Sequence, residues 1–120
     1  MRAIILAAGS SQRLKPLTQN TPKCLLSIGE ETILGRNLKI LSGYSWSEII
    51  IVNGFCGEQI EAFVKKSFSR LPITFRTNTD FSNTNNAYSL KLGLGSQNQP
   101  FVLLTLNIPL DSFLQSLLLR

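Results

Sequence analysis

Short apolar runs alternate with amphipathic stretches along the whole chain, and this alternation limits the fold more than any other feature. Ala3-Ile4-Ile5-Leu6 is a nearly pure apolar run and reads as a strand buried on both faces. Ile33 to Leu41 sets Ile33, Leu34, Leu38 and Leu41 at helical spacing, with Gly43 as a stop. Glu48-Ile49-Ile50-Ile51-Val52-Asn53 is the clearest strand, β-branched and ended by Gly54. Glu58 to Phe68 puts Ile60, Phe63, Val64 and Phe68 opposite Glu61, Lys65 and Lys66, the pattern of an amphipathic helix. Pro72 to Arg76 reads as a third strand and Asn78 to Asn86 as a polar loop. Ala87 to Leu94 reads as a helix closed near Gly93 or Gly95, and Phe101 to Leu104 as a fourth buried strand. Asp111 to Leu119 follows as a last helix with Asp111 as its N-cap. Strand–helix alternation of this kind predicts an α/β fold, a mostly parallel sheet with helices on both faces. Ligands of such sheets sit beyond the carboxyl ends of the strands, which directs attention to the loops after Leu6, Asn53, Arg76 and Leu104.

The first of these loops is Ala7-Ala8-Gly9-Ser10-Ser11-Gln12-Arg13. Small side chains let backbone N–H groups approach a ligand, and successive N–H groups facing one way form an anion nest. Arg13 adds a bidentate fork for phosphate oxygens, and Lys23, after the rigid Pro22, adds a point charge. These parts could cradle a polyphosphate. A tight turn carrying two solvated cations fits the same residues. Neither the Walker A pattern nor the GxGxxG fingerprint is present.

Charge and composition narrow the partners. Twelve Lys and Arg stand against seven Asp and Glu, a net charge of +5. That surplus suits an anionic small molecule, and with no arginine-rich tract or aromatic-basic interleaving, nucleic acid is not expected. There is no histidine, so the commonest general base and metal ligand are missing. Cys24 and Cys56 form no CxxC or zinc spacing and read as two ordinary buried thiols in a reducing compartment. The apolar run from Ala3 to Ala8 is shorter than the about 7–15 residues of a signal core. No stretch approaches the roughly 18 apolar residues of a membrane span, so a cytoplasmic protein without membrane contact is expected.

Ile4 to Thr18, ILAAGSSQRLKPLT in its essential part, followed by Pro22-Lys23-Cys24-Leu25-Leu26, resembles the signature of the nucleotidyltransferases that activate sugar phosphates and phosphocholine. Their pattern is roughly LAAGxGxRLxPLT followed by PKxL, with Ser11 standing here for the second glycine. Asn83-Thr84-Asn85-Asn86-Ala87-Tyr88-Ser89-Leu90 resembles a segment of the phosphocholine cytidylyltransferase branch. An Asn-rich loop capping a helix at Asn85 or Asn86 accounts for the same residues.

The resemblance implies a Rossmann-like, GT-A-type sheet, of which residues 1–120 form the N-terminal nucleotide-binding part. It implies a nucleoside triphosphate and a phosphorylated small-molecule acceptor as partners. An acceptor phosphate oxygen attacks the α-phosphorus, pyrophosphate leaves, and Mg²⁺ and cations neutralise charge. By position, Leu6, Ala7, Ala8, Gly9, Ser10, Ser11 and Asn86 would hold the nucleotide. Arg13 would bind the leaving pyrophosphate and Lys23 would neutralise the α-phosphate.

The resemblance breaks after the fourth strand. A pattern such as LLxxDxxxD is expected there, but Asn107 stands where the Mg²⁺ ligand belongs, and a neutral amide is a poor ligand for a hard cation. Asp111 reads as an N-cap rather than a ligand, so no metal residue is assigned. The ending at Ser116-Leu117-Leu118-Leu119-Arg120 reads as that of a truncated or frameshifted product lacking the acceptor-binding half. The expectation is a weakly active or inactive transferase. The alternative is a non-catalytic nucleotide-binding remnant of the same fold.

Overall fold

A computed structural model describes residues 1–8, 20–80, 86–95 and 100–105, with the backbone alone at 28, 86, 87 and 105. Along the chain the elements are β1 (Arg2–Ala7), a 3-10 turn at Lys23–Leu25, β2 (Ser27–Ile28), β3 (Glu31–Thr32) and α1 (Ile33–Leu41). Then come β4 (Glu48–Asn53), α2 (Gly57–Ser67), β5 (Ile73–Thr77), α3 (Asn86–Leu94) and β6 (Phe101–Thr105). The expected last helix at Asp111 lies outside the described residues.

Four strands form one sheet in the order β5-β4-β1-β6, and every neighbouring pair is parallel. The register sets Ile4 between Ile50 and Leu103, and Ala7 beside Asn53, which pairs in turn with Thr77. β2 and β3 make a separate two-stranded antiparallel ribbon, turned by Gly29 at φ 67°.

Side-chain alternation divides the core in two. Ala3, Ile5, Ala7, Ile49 and Ile51 face Leu34 and Leu38 of α1 and Ile60 and Val64 of α2. Ile4, Leu6, Ala8, Ile50 and Val52 face Leu90 and Leu94 of α3. Helices therefore cover both faces, as the alternation required. Each fully buried Ile or Leu contributes about 1.5–3 kcal/mol, so the two central strands hold most of the fold together.

Two expectations are corrected, for β6 and for Cys56. Phe101, Val102 and Leu103 are exposed at 36%, 36% and 39%, so β6 is not a buried strand. It is an edge strand, paired with β1 on one side only among the described residues. The inner face of α3 is mixed, with Leu90 and Leu94 packed on the sheet beside smaller residues. Ser89 and Gly93, four apart, are buried against the sheet, while Tyr88 is 41% exposed. Cys56 is not buried but half-exposed, in a left-handed conformation at φ 52° just before α2.

Candidate functional site

The two ends of the sheet are set apart by what binds to them. Met1 carbonyl accepts from Ser47 N–H at 3.0 Å, and Arg2 Nη1 donates to the Leu94 carbonyl at 3.4 Å, placing the end of α3 at the amino edge. The start of α3, Asn86, therefore faces the carboxyl edge. Asn78, which follows β5, confirms this: its Nδ2 donates to Ser89 Oγ at 3.1 Å within the buried interior. α1 likewise begins at the carboxyl side and ends near Tyr44 and Trp46.

The chain moves from β1 to β4 and β5 on one side, then crosses back to β6 on the other. The strand order thus reverses between β1 and β6, and in open α/β sheets ligands bind at the carboxyl ends of such a switch point. Leu6, Ala7 and Ala8, three of the residues assigned to nucleotide, lie at that end of β1 and are all buried. Ala8 carbonyl accepts from Phe55 N–H at 3.3 Å, which ties the end of β1 to the β4–α2 turn.

Lys23 opens the 3-10 turn after the extended Pro22 and is half-buried. The turn is closed by Leu25 N–H to Pro22 carbonyl and Leu26 N–H to Lys23 carbonyl, each at 3.0 Å. Cys24 is 2% exposed within the cluster that holds Ala7, and its side chain anchors the turn against the sheet. Ile33 N–H donates to Leu26 carbonyl at 3.2 Å, so the turn meets the starting end of α1. Lys23 is therefore carried on the same side of the molecule as Ala7 and Ala8. Burial pushes the Cys24 thiol up to about 12, opposed in part by a backbone hydrogen bond and by Lys23.

Of the other assigned residues, Asn86 begins α3 at the carboxyl edge by its backbone. Gly9, Ser10, Ser11, Arg13 and Asn107 lie outside the described residues. Sequence reasoning passed over two buried asparagines at this edge. Asn78 is held by Ser89, accepts from Asp80 N–H at 3.0 Å, and donates its own N–H to the Asn53 carbonyl at 2.7 Å. Asn53 is fully buried with its side-chain amide unpartnered among the described residues. The available signal was its parity: it continues the inward row of Ile49 and Ile51.

The strand ends described here present small apolar side chains and amides. Among the described residues no three His, Cys, Asp or Glu side chains cluster to hold a metal ion. A hard divalent cation takes oxygen ligands rich in carboxylate, and Asn107 and Asp111, at the expected ligand positions, lie outside the described residues. No helix among the described residues is long and apolar enough to cross a membrane.

Fold and edge together define an α/β protein of doubly wound type whose strand order reverses at β1, the position where open parallel sheets bind their ligands. The MobA-like NTP transferase domain matches residues 3–118, and the chain belongs to that family. It is 37% identical over 92 residues to a choline-phosphate cytidylyltransferase of Streptococcus pneumoniae, covering 77% of this chain and 38% of the relative. It is 43% identical over 61 residues to an N-acetylmuramate alpha-1-phosphate uridylyltransferase of Neisseria meningitidis, covering 51% and 26%. The solved CTP:phosphocholine cytidylyltransferase of Streptococcus pneumoniae superposes with a TM-score of 0.65 at 36% identity, over 76% of this chain and 38% of that one. A UDP-glucose pyrophosphorylase bound to UDP-glucose superposes with a TM-score of 0.75 at 14% identity, which bears on the fold alone. The chain thus spans well under half the length of the first two relatives.

Proposed function

We propose that this chain binds a nucleoside triphosphate across the carboxyl edge of β1, as the nucleotide half of a nucleotidyl transfer to phosphocholine or a sugar 1-phosphate. The observation that carries the reading is the position of Ala7 and Ala8 at the switch point, with the Gly9–Arg13 segment continuing from it. Small side chains at that point let main-chain N–H groups reach the ligand. Lys23, on its anchored turn, offsets charge at the α-phosphate, and Arg13 takes the β- and γ-phosphates. In the transfer, an oxygen of the acceptor phosphate forms a bond to the α-phosphorus. The bond from that phosphorus to the bridging oxygen breaks, and pyrophosphate leaves with the electron pair. Positioning and charge neutralisation supply the catalysis, with no covalent enzyme intermediate.

A second reading, nucleotide binding without turnover, is favoured by Asn107 and by the amide-rich carboxyl edge. The two readings share the nucleotide and part at the chemistry, so we expect binding with little or no pyrophosphate release.

Calorimetry with CTP and with cytidine tests the shared part. Lys23→Ala is expected to weaken CTP several-fold and cytidine hardly at all, since its charge is assigned to phosphate. Equal losses for both ligands would return Lys23 to a structural role. Pyrophosphate release from CTP with phosphocholine or a sugar 1-phosphate and Mg²⁺, by the unmodified chain, would decide for the catalytic reading.

A further inference from the structure

We propose that Asn78 and Ser89 are positioning residues for nucleotide binding. Their buried hydrogen bond sets the height at which α3 lies along the sheet, and so where its first turn stands at the carboxyl edge. The proposal rests on the reading that the nucleotide lies across that edge. Asn78 is the first residue beyond β5 and ties three parts of the edge together. Its N–H donates to the Asn53 carbonyl at 2.7 Å, at the end of β4. Its Oδ1 accepts from Asp80 N–H at 3.0 Å, in the chain after β5. Its Nδ2 donates to Ser89 Oγ at 3.1 Å, on α3. One residue thus joins the end of the sheet to the helix above it.

The apolar contacts of α3 do not fix this height. Leu90 and Leu94 pack on Ile4, Leu6, Ile50 and Val52. Apolar attraction has no direction and tolerates sliding along a row of similar side chains. Gly93 sets how closely the helix approaches, since a Cβ there would stand 3.0 Å from Ile4 Cγ2 and 3.1 Å from Val52 Cγ2. Ser89 lies four residues earlier on the same face, one turn nearer the carboxyl edge. A hydrogen bond holds its two heavy atoms near 3 Å and weakens steeply as they part, so the Ser89–Asn78 bond selects one height. At the far end of this nine-residue helix, the Arg2 bond to the Leu94 carbonyl is longer, at 3.4 Å.

The residue types point the same way. Ser89 is 3% exposed and Asn78 1%. Alanine at 89 would favour the helix more and bury no hydroxyl. What serine adds at this place is the bond to Asn78. At such burial neither side chain reaches the nucleotide, and the effect of both passes through α3.

The test compares the unmodified 120-residue chain with Ser89→Ala, Asn78→Ala, the double variant and Ile60→Val. Calorimetric CTP affinity is read beside melting temperature and amide hydrogen exchange in α3. Ile60 is fully buried beneath α2 on the opposite face of the sheet, so its truncation lowers stability away from α3. Ser89→Ala is expected to speed exchange in α3 and to weaken CTP by about three- to tenfold, because the ligand must then supply the alignment that the bond supplied. Ile60→Val should lower the melting temperature and leave CTP affinity within about twofold of the parent. The double variant should bind CTP as Asn78→Ala does, since the shared bond is lost only once. The proposal is overturned if Ser89→Ala loses no more CTP affinity than Ile60→Val, or if the losses add in the double variant. Should Asn78→Ala fail to fold, the comparison of Ser89→Ala with Ile60→Val decides alone. A parent chain that binds no CTP removes the nucleotide reading and the proposal together. A parent that binds CTP, with Ser89→Ala indifferent, removes the proposal alone.

Discussion

Gly93 shows how a missing side chain can set the position of a helix start about two turns away. A Cβ there would stand 3.0 Å from Ile4 Cγ2 and 3.1 Å from Val52 Cγ2, so α3 lies as close to the sheet as a glycine allows. Gly93→Val must push the helix outward or the strands apart. We expect a loss of about 1–3 kcal/mol in urea unfolding. Nucleotide affinity should fall as well, because α3 carries Asn86 to the carboxyl edge. Intact affinity in a destabilised variant would separate α3 from the site. The two thiols differ in the same local way. Cys24 is buried and Cys56 half-exposed, so one thiol should react with an aromatic disulfide in the native chain and two after unfolding. For Cys24 the folded value near 12 exceeds the ordinary 9.0. Below pH 9 the thiol is protonated in both states and its stabilising effect is complete. Between those values only the unfolded chain ionises, so stability falls as pH rises, and the effect is gone above about 12. Cys24→Ala should flatten that part of the urea-midpoint profile against pH.

The elements divide according to how their sequence signals relate to packing. Ile33–Leu41 and Glu48–Asn53 are legible to the residue, because burial there follows the apolar period: Ile33, Leu34, Leu38 and Leu41 are the buried residues of α1. α3 was legible as a helix but not in its orientation, since its contact face combines Leu90 and Leu94 with the small Ser89 and Gly93. The β2–β3 ribbon carries no signal, because two-residue strands are too short to show a period. At the site, the end of β1 was legible from its small residues. The burial of the Asn53 amide was not, because a polar residue closing a strand is expected to reach solvent. α1 itself depends on a feature of that ribbon. Thr32, the last residue of β3, is the helix N-cap, its Oγ1 accepting from Gly35 N–H at 2.9 Å. Thr32→Ala should cost about 1 kcal/mol, and Thr32→Ser should recover most of it, in thermal unfolding. A helix indifferent to both changes would show that packing alone holds its start.

For the whole molecule the governing fact is that β1, which precedes the other three strands of its sheet, is a central strand. Its free edge is closed by β6, whose Phe101, Val102 and Leu103 are exposed. An apolar edge strand is a template for pairing with another chain. We expect concentration-dependent association in sedimentation, and Leu103→Lys should move the profile toward monomer. A monomeric parent at high concentration would count against an open edge. The pairing of β1 has a second consequence, in time rather than space. Arg2 pairs with Glu48 on one side and Phe101 on the other, so β1 is made before both of its partners and waits for each. The β1–β4 hydrophobic ladder can form once residues 48–53 emerge, but the sheet closes only after nearly all the described chain has been made. Contacts of such long sequence separation make folding slow, and the nascent chain carries Ile4-Ile5-Leu6 unshielded through most of its synthesis. A chaperone that binds short apolar segments would find its target in β1.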